Sequence, residues 1–83
     1  MLEALNQPIE VLSLFAEGKM KPLRFRWRGQ VVRVRRVTGE WVRQEGIGRV
    51  HYFSLLSEGS DYFELAYDVD QTNWRICRVW LEG

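Results

Sequence analysis

The chain has little of the chemistry that enzymes and metal proteins use. It contains one histidine and one cysteine, and no pair of residues has the spacing of metal ligands. No G-x-S-x-G nucleophile motif occurs, and Gly46 and Gly48 lack the third glycine of a phosphate-binding loop. Asp68 and Asp70 begin like a calcium loop, but the glycine and the closing glutamate are missing. We therefore expect a non-enzymatic protein with no catalytic residue, no cofactor and no metal ion.

The two lone reactive side chains are expected to be structural. His51 lies in an aromatic-rich segment and is read as a structural or surface side chain, and Cys77 as an unreactive packing thiol. A single cysteine excludes an internal disulfide, which fits a reducing compartment. The chain shows neither a signal-peptide pattern nor an apolar run near the ~18 residues of a membrane span. These absences predict a cytoplasmic protein with no membrane partner.

Charges of the two signs are separated along the chain, although the net charge is only +1. Residues 1–18 carry three glutamates and no base, and residues 50–83 carry two arginines against six acids. Residues 19–49 between them carry ten bases and two acids. Such blocks indicate a charged partner unless the acidic ends fold over the basic middle and neutralise it. Both interpretations stay open.

Alternation of apolar and basic residues in "FRWRGQVVRVRR" is the clearest structural signal. A period of two residues predicts half-buried β-strands. A two-residue turn at Arg28-Gly29 or Gly29-Gln30 would join them, and the first choice pairs Phe25 with Val32. One face then carries the apolar residues Leu23, Phe25, Trp27, Val32 and Val34. The other carries the basic residues Arg24, Arg26, Arg33 and Arg35, with Val31 among them.

The second half of the chain predicts further short strands. A turn at Thr38-Gly39 leads into a strand around Trp41, and residues 45–48 form a turn or bulge. A hairpin follows, with strands at about 49–57 and 60–68 and Glu58-Gly59 at its tip. Its apolar face is predicted to be Val50, Tyr52, Leu56, Phe63, Leu65 and Tyr67. The last strand is predicted to carry Trp74, Ile76 and Trp80 on one side and Cys77, Val79 and Leu81 on the other.

The N-terminal segment is ambiguous. Pro8 at a first helical position and Gly18 beyond the end fit a helix, while "PIEVLSLF" equally fits a strand. The remaining pattern predicts a mainly β protein, with residues 1–83 forming a single small domain. We expect about five or six antiparallel strands in a strongly curled sheet or small barrel.

A binding surface is the function that the residues favour. Guanidinium groups bind phosphate in a bidentate way, and aromatic rings stack on unpaired bases. Because the alternation places Trp27 in the core, Trp41 is the better candidate for an exposed aromatic ring. The predicted nucleic-acid-binding residues are Arg24, Arg26, Arg33 and Arg35 on phosphates, Arg28, Arg36 and Arg43 at the rim, and Trp41 as a stacking residue.

Several segments together resemble a known family. They are "PIEV" at 8–11, "FRWRGQ" at 25–30, Trp41, "YF" at 52–53, "FEL" at 63–65 and "WRICRVW" at 74–80. They resemble the small uncharacterised domain at the C-terminus of bacterial Y-family, translesion-type DNA polymerase-like proteins, which also occurs as a stand-alone short protein. The resemblance covers about residues 8–81, and "F-x-W-R-G" and "W-x-x-x-R-V" are its most specific parts.

This chain departs from that family at two places. The connection "LSLFAEGKMKP" before the hairpin is longer, and "GEWVRQEGIGR" lacks further tryptophans that such domains carry. Any surface built by those tryptophans is therefore in doubt here. The resemblance implies a strand rather than a helix for residues 8–17, no known catalytic activity, and a setting of DNA damage tolerance.

Two functions are carried forward. The first is a nucleic-acid-binding accessory module that contacts single- or double-stranded DNA through a basic sheet face. The second is a protein-interaction module that docks on a polymerase-like partner or associates with itself. The second rests on the excess of Trp and Tyr, which with Arg dominate protein interfaces, and on the acidic blocks that could cancel the basic one.

Overall fold

Six antiparallel β-strands account for most of residues 1–82, the part of the chain that the computed structural model describes. They are β1 (Leu2–Ala16), β2 (Lys19–Trp27), β3 (Gln30–Glu45), β4 (Gly48–Ser57), β5 (Tyr62–Asp68) and β6 (Asn73–Trp80). Each strand pairs with the next, and β1 pairs with β6, so the sheet closes into a barrel. The prediction of a mainly β fold with five or six antiparallel strands is confirmed. Within this part of the chain no helix is long and apolar enough to cross a membrane.

The two longest strands each change partner midway. Residues 2–9 of β1 pair with β6 and residues 10–16 pair with β2. Residues 30–33 of β3 pair with β2, and residues 34–45 pair with β4. Strands that cross from one neighbour to another make the corners of a small barrel. Only four residue pairs join β2 to β3, and beyond those pairs the two strands separate and leave a cleft.

The hairpin between β2 and β3 has the predicted turn and register. Arg28 and Gly29 form the two-residue loop, with φ angles of 51° and 75°. Positive φ at both positions belongs to a type I′ turn, which glycine adopts without steric cost. Phe25 faces Val32 across the ladder, as the first of the two turn choices predicts.

The ambiguous N-terminal segment is a strand. β1 includes residues 8–16, and Glu17 and Gly18 form a second tight turn with φ angles of 55° and 73°. Ala16 pairs with Lys19 across this turn. The segment "LSLFAEGKMKP", interpreted as a connection, therefore forms the end of one strand, a turn and the start of the next.

A β-bulge in β2 overturns one predicted position. Leu12 pairs with Arg24 and Ser13 with Pro22, so Leu23 has no partner in β1. The inserted residue reverses the alternation, and a one-residue shift exchanges the two faces of a strand. Leu23 is therefore 38% exposed, while Pro22 is buried. The expectation that Leu23 belongs to the apolar face was wrong.

The predicted turn at Thr38-Gly39 is also wrong, because β3 runs through it. The register shifts between Val37 and Gly39, so Thr38 is a bulge within a continuous strand. Its hydroxyl lies 2.9 Å from the hydroxyl of Ser54 on β4, and this contact holds the bulge against the neighbouring strand. Trp41 is therefore on the same long strand as the predicted basic face.

The hairpin between β4 and β5 exists, but its register differs by one residue from the prediction. Ser57 N donates to Asp61 O at 2.9 Å, so the loop has three residues and ends at Ser60, which has a φ of 69°. Phe63, Leu65 and Tyr67 consequently pair with Leu55, Phe53 and His51. The prediction that they share a face with Val50, Tyr52 and Leu56 was wrong.

The last strand carries a bulge at Cys77. Glu64 pairs with Arg78 and Leu65 with Ile76, which leaves Cys77 without a partner in β5. Beyond the bulge Val79 points into the core, and Trp80 is 46% exposed. The expectation that Trp80 shares a face with Trp74 and Ile76 was wrong.

The core fills the barrel with buried side chains from four strands, β2, β4, β5 and β6. The ring of Phe63 meets Phe25 and Trp27 edge to face, at centroid distances of 5.0 Å and 5.4 Å. Burying each large side chain contributes about 1.5–3 kcal/mol. The buried residues of this core are Phe25, Phe53, Leu55, Phe63, Leu65, Trp74, Ile76 and Val79. A smaller cluster comprises Val50, Tyr52 and Ala66, packed against Trp41 and Cys77.

Candidate nucleic-acid interface

All seven arginines of the predicted site are exposed. They are Arg24, Arg26, Arg28, Arg33, Arg35, Arg36 and Arg43. Within residues 1–82 only Arg28 of this set forms an ion pair, with Glu3 at 3.0 Å. The acidic ends therefore leave most of the basic segment without ion-pair partners.

The basic face, which we define as Arg24, Arg26, Arg33 and Arg35, follows from the strand alternation. Phe25 points into the core, so its neighbours Arg24 and Arg26 point outward on β2. Arg24 lies directly opposite Arg33 on β3. Like charges opposite each other across a ladder destabilise the sheet by about 0.2–1 kcal/mol. This face therefore concentrates positive charge at some cost in folding stability.

Exposed apolar side chains surround these arginines. Leu12 of β1 pairs with Arg24, and Val31 of β3 pairs with Arg26. About half of each apolar side chain is exposed. With Glu10 these residues line a shallow depression of about 230 Å³. The face thus presents guanidinium groups above a partly apolar surface.

Where β2 separates from β3, basic side chains line a cleft that continues the basic face. Bulges allow consecutive residues to point to the same side, and Arg35 at such a bulge is exposed together with Arg36. The basic cleft has a volume of about 350 Å³. Its lining residues are Lys19, Met20 and Lys21 from β2 and Arg35, Arg36, Val37 and Glu40 from β3. From Arg26 to Lys19 the strand covers about 23 Å, at about 3.3 Å per residue.

The cleft leads into a larger pocket at one end of the barrel, the mouth pocket, of about 600 Å³. Its apolar wall consists of Phe15, Met20, Phe53, Tyr67 and Val69, and its polar groups are Lys19, Glu40 and His51. Lys19, Met20 and Glu40 line both the cleft and the pocket. Sequence reasoning missed this pocket because its walls come from five strands. The one available signal was a histidine among aromatic residues.

Two residues of the predicted site lie apart from the basic face. Trp41 is half-buried and stacks on Tyr52, with ring centroids 5.4 Å apart and planes 5° apart. The guanidinium of Arg43 lies 5.3 Å from the same tyrosine ring. Along β3, Trp41 follows Arg33 by eight residues, or about 26 Å of extended strand. The structure therefore does not join Trp41 and Arg43 to the other arginines.

Tyr52 is also the centre of a polar network on the outside of the barrel. Its hydroxyl donates to the carboxylate of Glu45, and Arg75 Nη2 lies 3.3 Å from that carboxylate and 3.4 Å from the hydroxyl. Burial raises the pKa of Tyr52 above its ordinary value, and the hydrogen bond to Glu45 raises it further. The network thus favours the protonated phenol.

The single cysteine of the chain lies half-buried on β6. Burial raises the pKa of the half-buried Cys77 thiol, and the nearby Glu64 carboxylate adds to the effect, so the reactive thiolate is disfavoured. In the part of the chain described, no three His, Cys, Asp or Glu side chains come together in a way that could hold a metal ion.

A comparison of the chain with protein-family models, curated proteins and solved structures finds no match. The resemblance to the domain of translesion polymerase-like proteins therefore stays a prediction. Function rests on the geometry of the basic face, the basic cleft and the mouth pocket.

Proposed function

We propose that this protein is a non-enzymatic nucleic-acid-binding module that holds DNA phosphates on its basic face. Arg24, Arg26, Arg33 and Arg35 contact phosphate oxygens, with Arg28 and Arg36 at the rim. The observation that carries the proposal is that these four arginines are exposed and have no ion pair within residues 1–82. A polyanion bound there would offset the repulsion between Arg24 and Arg33.

Phosphate contacts of this kind give binding that tolerates many sequences and responds strongly to salt. If about four phosphates are neutralised, the logarithm of the binding constant falls with the logarithm of salt concentration with a slope of roughly −3. The family resemblance supports a setting in DNA damage tolerance, and the lone cysteine supports a cytoplasmic location.

The test is fluorescence anisotropy of labelled single- and double-stranded oligonucleotides at several salt concentrations. The variant Arg24→Ala/Arg33→Ala removes two phosphate contacts, so its salt slope should be shallower by about two. The control Arg49→Ala/Arg78→Ala changes the net charge equally, but its arginines lie on β4 and β6. Equal losses in both variants, or a flat salt response of the unmodified protein, would contradict the proposal.

An apolar patch on β1, β5 and β6 favours a second function, protein docking. Leu2, Trp80 and Tyr62 lie side by side on β1, β6 and β5. Each is between 43% and 56% exposed. Contiguous exposed apolar side chains are a feature of protein-interaction sites. The partner would be a polymerase-like protein or a second copy of this chain.

Two measurements test this second function. Light scattering over a range of concentrations detects self-association, and titration with a purified polymerase-like protein detects binding to that partner. If the patch is the docking site, Trp80→Ser weakens either self-association or binding of the polymerase-like protein. The control Ile47→Ser, at the exposed β3–β4 turn, should leave both unchanged. A monomer that does not bind the polymerase-like protein would exclude this function.

A further inference from the structure

The mouth pocket has the size and lining of a small-molecule site, but phosphate binding on the basic face leaves it unused. Its volume of about 600 Å³ lies within the range of about 300–1,000 Å³ typical of such sites. It joins the basic cleft through the shared residues Lys19, Met20 and Glu40. A ligand that fills both must therefore combine a flat apolar group with a negatively charged chain.

The wall of the pocket is aromatic and is supported from behind. Phe53 and Tyr67 both pack on the buried ring of Trp74, at centroid distances of 5.5 Å and 5.1 Å. Phe15 stands at the rim and is 69% exposed. Rings held in this way provide flat surfaces on which another ring can stack at little entropic cost.

The polar groups of the pocket suit the edge of a nucleobase. Glu40 on β3 pairs with Phe53 on β4, and His51 lies two residues before Phe53 on the same strand. Both polar groups line the pocket, and neither makes a salt bridge in residues 1–82. A carboxylate accepts hydrogen bonds from the amino groups of bases. In the cleft, by contrast, Lys19, Lys21, Arg35 and Arg36 supply positive charge for phosphates.

We propose that an unpaired base of single-stranded DNA enters the mouth pocket while the phosphates next to it lie along the basic cleft. This inference rests on the proposed function and makes it more specific, because it names single strands as the ligand. The base stacks against Phe15 and Tyr67, with its edge toward Glu40. A base paired within a duplex cannot enter the pocket, since its edge and both of its faces are already occupied.

The experiment compares three probes of equal length: a single strand, a single strand with abasic sites, and a duplex. Phe15→Ala removes a stacking ring that is mostly exposed, so the core stays intact. We expect it to weaken binding of the ordinary single strand about tenfold and to leave the abasic strand unaffected. Phe15→Tyr should restore binding, and the control Ile47→Ala, at a fully exposed turn position, should change nothing.

A base analogue gives an independent readout. The fluorescence of 2-aminopurine in the strand should be quenched on binding to the unmodified protein and less so on binding to Phe15→Ala, because stacking on aromatic rings quenches it.

The outcomes separate the inference from the function on which it rests. Base insertion is excluded if abasic and ordinary strands bind equally and Phe15→Ala binds both as tightly as the unmodified protein does. Phosphate binding still stands in that case if Arg24→Ala/Arg33→Ala loses binding. If none of the probes binds at low salt, both are excluded. Selective loss of the ordinary strand in Phe15→Ala supports base insertion.

Discussion

Tyr52 takes part in four interactions at once: a stack with Trp41, a contact with the guanidinium of Arg43, a hydrogen bond to Glu45 and a hydrogen bond from Arg75. Only the last two of these require the hydroxyl. Tyr52→Phe therefore separates the polar contribution from the aromatic one. A hydrogen bond to a charged acceptor contributes about 1.5–3 kcal/mol, and partial exposure of Glu45 places this one at the lower end.

We expect Tyr52→Phe to lower the free energy of unfolding by about 1–2 kcal/mol at pH 7. The pKa of Tyr52 is raised by burial and by Glu45, so the contribution of its hydroxyl is complete below about pH 10. It is lost as the pH rises through the raised pKa, where the phenolate would lie beside a carboxylate. Urea unfolding at pH 7, 9 and above 10 should thus show the difference between the two proteins shrinking.

Tyr62→Phe is the matched control for this prediction. Tyr62 is exposed, and its hydroxyl makes no hydrogen bond within residues 1–82. Its loss should change the unfolding free energy by less than about 0.5 kcal/mol at every pH. If the difference in unfolding free energy between Tyr52→Phe and the unmodified protein stays constant up to pH 11, the hydrogen bond to Glu45 is not the source of the stabilisation.

The loop between β4 and β5 holds a serine in a left-handed backbone conformation. Three-residue hairpin loops place their last residue in the left-handed region, which glycine occupies without strain. Here Ser60 holds that position with a φ of 69°. Its side chain makes no hydrogen bond in the described part of the chain, so replacement removes only backbone strain.

We expect Ser60→Gly to raise the free energy of unfolding by up to about 1 kcal/mol. The left-handed conformation costs residues other than glycine about 1–2 kcal/mol, and glycine removes this cost. The greater conformational entropy of glycine in the unfolded chain offsets part of the stabilisation. Thermal unfolding measures the gain as an increase of several degrees in Tm. Ser60→Ala, which keeps a Cβ at the left-handed position, is the control and should not stabilise. A lower Tm for Ser60→Gly would contradict the loop geometry.

The sequence predicted most of the strands, but it predicted their faces only where neither a bulge nor an unexpected loop length intervenes. The hairpin around Arg28-Gly29 came out in the right register, since its alternation is unbroken and its turn has two residues. Bulges at Leu23, Thr38 and Cys77 each shift the alternation by one residue. A bulge is selected by packing across the whole barrel, and the local pattern of residue types does not reveal it.

Local alternation determines which part of the site could be predicted from the sequence. Exposure of Arg24, Arg26 and Arg33 follows from local alternation and was predictable. The basic cleft and the mouth pocket depend on where β2 separates from β3 and on how β1 and β5 close around the end of the barrel. β1 and β5 lie far apart in sequence, and the point where β2 leaves β3 depends on their other neighbours in the sheet, so a local pattern encodes neither.

At the scale of the whole molecule, the barrel holds together where the beginning of the chain meets its end. The amino group of Met1 donates to Leu81 O, and Leu81 N donates to Met1 O, both at 2.9 Å. The ladder continues with residues 2–9 of β1 beside β6. Without this ladder both strands would become free edges, which are prone to pair with other chains.

We expect the β1–β6 ladder to slow the folding of the protein. It joins residues that are more than sixty positions apart, whereas each of the other five pairings joins neighbours in sequence. Contacts between distant residues slow folding, because the entropy of a long loop is lost before the contacts form. A circular permutant that links the two ends and opens the chain at Gly59 makes the slow pairing local and leaves the β4–β5 pairing as the distant one.

Stopped-flow tryptophan fluorescence would show which closure limits the rate. If pairing of β1 with β6 is the late step, the permutant folds faster than the parent chain at nearly unchanged stability. If the β4–β5 hairpin forms the nucleus, the permutant folds more slowly, because cutting its loop delays the first structure to form. The order in which a closed ring of strands assembles is thus decided by where the chain is interrupted, even though the finished ring is the same.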